Sequence, residues 1–196
     1  PPPGPLRLTT VASWRGAFGP IEHDGRAHGV KAHEWRRFRD LPGLAAPHRF
    51  EAALAIHEAD RADRERLERA GWVLEDPVER AGSPDRFRAY VSGSDAEFSV
   101  AQGIYVGAGT GWFSDRTARY LAAGRPAIVQ DTGFRAHLPA GEGILAFDTP
   151  REAARSVDAV ARDYAAHARA ARALAEARFD SDVVLGGLVD ELGVCP

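Results

Sequence analysis

Apolar and polar positions alternate through residues 6–12, "LRLTTVA", and the β-forming side chains there predict an opening strand. Residues 13–35 are rich in Gly and His and carry no clear period, which predicts a long loop. From Pro47 to Gly71 the pattern turns helical: Phe50, Leu54, Ile56, Leu67 and Ala70 recur at roughly helical intervals among charges, with Pro47 suited to the start and Gly71 to the stop. Short apolar runs and helical segments then take turns. "WVLED" (72–76) reads as a strand, "SPDRFRAYVSGS" (83–94) as a helix capped by Ser83 with Pro84 in its first turn, and "AEFSVA" (96–101) as a strand. "SDRTARYLAAG" (114–124) reads as a helix, "RPAIVQD" (125–131) and "GILAFD" (143–148) as strands, and Pro150 to about Arg178 as helical, with a last short helix over 182–192. Strands alternating with helices imply βαβ units. The expected fold is therefore α/β, a Rossmann-like parallel sheet with helices on both faces, with ligands bound beyond the carboxyl ends of the strands. Residues 6–196 read as one domain, and the Pro-rich start, 1–5, as the remnant of a linker.

One segment departs from this regular rhythm. "YVGAGTGWFSDR", residues 105–116, packs small residues between an apolar run and a Ser-Asp pair. A P-loop needs Lys and Ser or Thr after its last glycine, where Trp112 follows Gly111; the dinucleotide fingerprint needs a third glycine where Trp112 stands. Neither standard motif fits. Two readings remain: a strand-to-helix turn with a cap, or an anion cradle in which Gly109 and Gly111 free backbone N–H groups and Ser114 or Asp115 begins a helix whose positive end favours an anion.

The order of elements around this segment carries a resemblance. Residues 95–148 resemble the carboxyl-terminal, donor-binding domain of GT-B glycosyltransferases: a strand and Gly-containing loop lead to a helix ending Ala123-Gly124-x-Pro126, a strand ending Asp131-Thr132-Gly133, and the strand opening Gly143-Ile144-Leu145 before a long helix. "GWFSDR" and "QDTGF" are similar to segments of actinobacterial glycosyltransferases. The resemblance implies a nucleotide diphosphate-sugar donor, an unknown acceptor, and an N-terminal domain outside this chain that supplies the acceptor site and base. It implies binding roles for Gly109, Gly111, Ser114, Asp115, Arg116, Thr132, Gly133 and Glu142, with Arg116 neutralising the leaving diphosphate. Arg116 as a solvated arginine and Glu142 as an ordinary loop carboxylate are the competing readings. Many retaining members carry two glutamates where this chain has Gly111 and Arg119, and Asp115 or Glu142 is the candidate to supply a carboxylate instead; no catalytic residue is assigned, and a non-catalytic nucleotide or nucleotide-sugar binding module is the alternative function.

Composition narrows the partners. A net charge of −3 over 196 residues gives no global attraction to nucleic acid, and no apolar run approaches a membrane span. The lone Cys195 suits a reducing cytoplasm, where the protein is expected to work. His23, His28 and His33 recur every five residues, a spacing that fits no metal motif, so neither metal nor cofactor is expected. Trp14 and Trp112 are candidates for stacking on a base or sugar, though packing is the commoner fate of tryptophan.

Overall fold

The computed structural model describes residues 4–16 and 18–193, so residues 1–3 of the expected linker and Cys195 lie outside the described residues. In chain order the elements are β1 (Arg7–Ser13), β2 (Ile21–His23), β3 (Arg26–His28), α1 (Lys31–Arg37), α2 (Leu41–Leu44), β4 (Arg49–Ala55), α3 (Arg61–Arg69), β5 (Val73–Glu75), α4 (Pro77–Ala81), α5 (Pro84–Ser92), β6 (Ala96–Ser99), α6 (Gly103–Gly107), α7 (Asp115–Ala122), β7 (Ala127–Gln130), β8 (Ile144–Phe147), α8 (Pro150–Arg162), α9 (Tyr164–Arg178) and α10 (Ser181–Glu191). Six strands form one parallel sheet in the order β5-β4-β1-β6-β7-β8. This is the doubly wound Rossmann order, which grows outward in both directions from β1.

The helix expected over 47–71 is corrected. Its first half is strand β4, paired with β1 from Arg49 to Ala55, and only 61–69 are α-helical. A strand covered on both faces reads as a nearly continuous apolar run, and "FEAALA" is built from strong helix formers. Burial of Phe50, Ala52, Ala53 and Leu54 inside the sheet overrides that local preference. The loop expected over 13–35 also has structure, a β2–β3 hairpin followed by α1.

The sheet is packed by a cluster of aromatic rings. Trp35 meets Trp72 at 5.1 Å, Phe38 meets Phe147 at 5.0 Å, and Phe98 stacks on Phe147 at 5.1 Å. Ser83 caps α5 by accepting the Arg86 N–H, as its position implied. The long terminal helix is two helices, broken at Asp163, whose carboxylate caps α9. Among the described residues no helix is long and apolar enough to cross a membrane.

Candidate functional site

The strand order reverses between β1 and β6, and these two strands share only two register pairs, Leu8 with Ala96 and Thr9 with Glu97, against seven between β1 and β4. Past Thr9 they part. The opening lies at the carboxyl edge, the topological switch point where sheets of this kind hold ligands.

Arg116, from the first turn of α7, fills the opening. Its Nε donates to Glu97 Oε1 at 2.6 Å, its Nη1 to the Val11 carbonyl at 2.7 Å and its Nη2 to Ser99 Oγ at 2.6 Å. The Arg116 side chain is 13% exposed and that of Glu97 is 0% exposed. This is not a solvated surface arginine. It ties β1, β6 and α7 together, and most of its donors are committed inside the protein.

The cation left at the opening is Lys31, which opens α1 and is the one lysine in the sequence. Burial pushes its ammonium down to about 7, the Arg116 charge adds to that effect, and Glu97 opposes it. The side chain is half-buried, and among the described residues no carboxylate lies within ion-pair distance of it. Glu97 Oε2, fully buried, has no hydrogen-bond partner. Glu97 is taken up by Arg116, and Glu34 of α1 by Arg37 and Gln130, which leaves Lys31 without a carboxylate partner among the described residues. Sequence reasoning missed Lys31 because it falls in the stretch taken as featureless loop; its being the single lysine in an arginine-rich chain was the available signal.

The loop after α6 is built differently from a phosphate cradle. Gly109 N–H donates to the Val106 carbonyl, Thr110 N–H to that of Tyr105, and Gly111 N–H to that of Thr132 at 2.6 Å. Trp112 N–H donates to Thr110 Oγ1, Thr132 Oγ1 to the Trp112 carbonyl, and Gly133 N–H to Asp131 Oδ1. The expectation that the glycines free their own N–H groups is therefore corrected. Glycine is required for other reasons: Gly111 sits at φ +74°, and Gly133, at φ +88°, brings its α-carbon so near Gly109 that an added Cβ would lie 2.9 Å from that carbonyl oxygen. What stays open is the start of α7. Ser114 is its N-cap yet accepts no capping bond, so the amides of Asp115, Arg116 and Thr117 lack acceptors within the helix.

Gly109, Gly111, Ser114, Asp115, Arg116, Thr132 and Gly133 thus share one edge of the sheet. Ser114 is buried, while the Asp115 side chain is exposed and paired with Arg119 at 3.4 Å. Glu142 is not with them. It precedes β8, and Ala127 N–H at the start of β7 bonds the Gly143 carbonyl, so Glu142 stands at the amino edge, a four-residue strand or roughly 13 Å away. In parallel strands a loop that leaves at one edge must return to the other before the next strand begins. Trp14 is core, and Trp112 stacks on Tyr105 at 4.8 Å, half-buried. Between Ser99, Trp112, Ser114, Thr117, Gln130 and Thr132 only a cavity of about 10 Å³ remains, room for at most one water. The larger groove, about 890 Å³, runs outside α7 between α9 and α10 and touches the site only through Phe113, Ser114 and Asp115. Among the described residues no group of His, Cys, Asp or Glu could hold a metal ion.

No family model matches the chain. No curated protein matches it either. Among solved structures it is similar to the α,α-trehalose-phosphate synthase (UDP-forming) from Burkholderia vietnamiensis, with a TM-score of 0.52 and 16% sequence identity. The match covers 96% of this chain and 46% of the synthase, so the chain spans less than half the length of that protein. At this identity the likeness establishes the fold, a Rossmann-like domain of the kind found in GT-B proteins.

Proposed function

We propose that this chain is the donor-binding part of a cytoplasmic glycosyltransferase that moves a sugar from a nucleotide diphosphate-sugar to an acceptor. The observation that carries the reading is the open first turn of α7 at the switch point, with Lys31 near enough to Arg116 and Glu97 for their charges to act on its ammonium. A helix start offers N–H groups and partial positive charge, and Lys31 offers a full charge once an anion draws a proton onto it; together they suit the two charges of a diphosphate.

Chemically this is leaving-group stabilisation. As the glycosidic bond breaks, negative charge grows on the diphosphate, and donors fixed in place before the reaction lower the barrier without reorganising. Arg116 acts one step back: it adds positive charge to the site and holds α7 at the opening. Thr132 and Gly133 shape the loop beside it, and no role toward ligand is proposed for Glu142. The acceptor site and the base belong in this reading to a second domain outside the chain. The matched synthase forms UDP by its name, which makes UDP the first nucleotide to try.

A specific observation favours the second reading, a binding module without chemistry: Gly111 and Arg119 stand where retaining members of the resembling family carry glutamates. Donor turnover by the full-length protein separates the two. Transfer or hydrolysis of a nucleotide diphosphate-sugar supports the enzyme, and nucleotide binding without turnover across a broad donor and acceptor screen supports the module.

A further inference from the structure

A cationic cavity lies beside α1 and α3. Trp14, Arg36, Arg39, Asp63, Arg66 and Leu67 enclose about 120 Å³, the room of about four waters. Its floor is dry and fixed: Trp14 and Leu67 are each 1% exposed. Its walls are guanidinium groups. Arg36 uses Nε and Nη2 on Asp63, at 3.3 and 2.6 Å, and Arg66 uses only Nη1 on the same carboxylate, at 3.2 Å. Arg39 donates Nε and Nη2 to Asp40, which is exposed and outside the cavity.

Three cations therefore line the cavity with one carboxylate, and Asp63 cannot neutralise both arginines that share it. Arg36 Nη1 and Arg66 Nε and Nη2 have no acceptor among the described residues. Trp14 contributes its buried ring to the floor. The guanidinium of Arg36 also lies 6.0 Å from the centre of the Trp14 ring, which holds that fork over the floor.

We propose that this cavity is a binding site for a small tetrahedral oxyanion, inorganic phosphate or the phosphate of a phosphomonoester, held by Arg36, Arg39 and Arg66 over Trp14. Planar guanidinium forks match the paired oxygens of such a group. The site is separate from the switch point: it faces α3, and Lys31 and Arg116 take no part in its lining.

The test is a titration of the purified chain with inorganic phosphate, and separately with glycerol phosphate, by calorimetry and tryptophan fluorescence. It is run in the Lys31→Gln background so that the switch point contributes less, and the arginine variants assign the binding that remains. The expected result is saturable binding at millimolar ligand that Arg66→Gln and Arg39→Gln each weaken about tenfold, the equivalent of ~1.4 kcal/mol. Both arginines are roughly half exposed, so these variants should keep the fold, and an unchanged melting temperature confirms that loss of binding is local. Binding of phosphate but not of glycerol phosphate restricts the site to the free ion. Absence of saturable binding, or binding that neither arginine variant changes, overturns the proposal.

Discussion

Glu97 and Arg116 form a buried ion pair across the point where the sheet reverses its strand order, with Nε and Oε1 2.6 Å apart and the carboxylate wholly excluded from solvent. Removing either partner leaves the other charge buried and uncompensated, which typically costs about 3–5 kcal/mol. Glu97→Gln and Arg116→Met should each lose stability on that scale in urea unfolding. The double variant Glu97→Leu with Arg116→Met should recover much of it, because no stranded charge remains. Additive losses in the double variant would show that the pair is not the unit of stability.

Lys31 makes the site sensitive to pH. Its folded-state value, about 7, lies below the ordinary lysine value of 10.5, so between those values the unfolded chain binds more protons at this position than the folded one. The contribution of Lys31 to stability therefore rises with pH across that window and is least favourable below about 7. A bound diphosphate reverses the preference by favouring the charged ammonium, so binding should take up a proton, and affinity should fall as pH rises above 7. Calorimetry with UDP at a pH near 8, in two buffers of different ionisation enthalpy, reads this uptake directly. Lys31→Gln should abolish the uptake and weaken binding by about 1.5–3 kcal/mol. Equal proton counts in the two proteins would remove Lys31 from the site.

The glycine loop offers a comparison of two positions. Gly109 and Gly133 both have positive φ, but a Cβ on Gly109 meets open space, whereas one on Gly133 lies 2.9 Å from the Gly109 carbonyl oxygen. Gly109→Ala should cost about 1–2 kcal/mol, the strain of a left-handed backbone alone. Gly133→Ala should cost more and also weaken nucleotide binding, because the clash pushes the loop off Thr132. Equal costs in thermal unfolding would contradict the close approach.

Much of the fold was legible in the alternation of apolar runs and helical segments, because β6, β7, β8 and α5 each carry a local signal that tertiary packing reinforces. β4 was not. Its Ala-rich run becomes a strand only through pairing with β1 and β5, which no local period records. The shared location of four candidate residues was legible: Ser114, Arg116, Thr132 and Gly133 come together at the carboxyl edge as the βαβ rule requires. Arg116 turned inward because its partner Glu97 sits on a neighbouring strand 19 residues away, a pairing invisible along the chain. Lys31 and Glu142 stand at opposite edges for a topological reason: one opens a helix at the carboxyl edge, the other precedes a strand at the amino edge.

A diphosphate bound at the first turn of α7 beside Lys31 would be visible directly. The most direct measurement is a crystal structure of the chain soaked with UDP. Density for the diphosphate is expected within hydrogen-bonding distance of the Asp115, Arg116 or Thr117 amides and of Lys31 Nζ. Density in the α7–α9–α10 groove instead, or none at millimolar UDP, would contradict this placement.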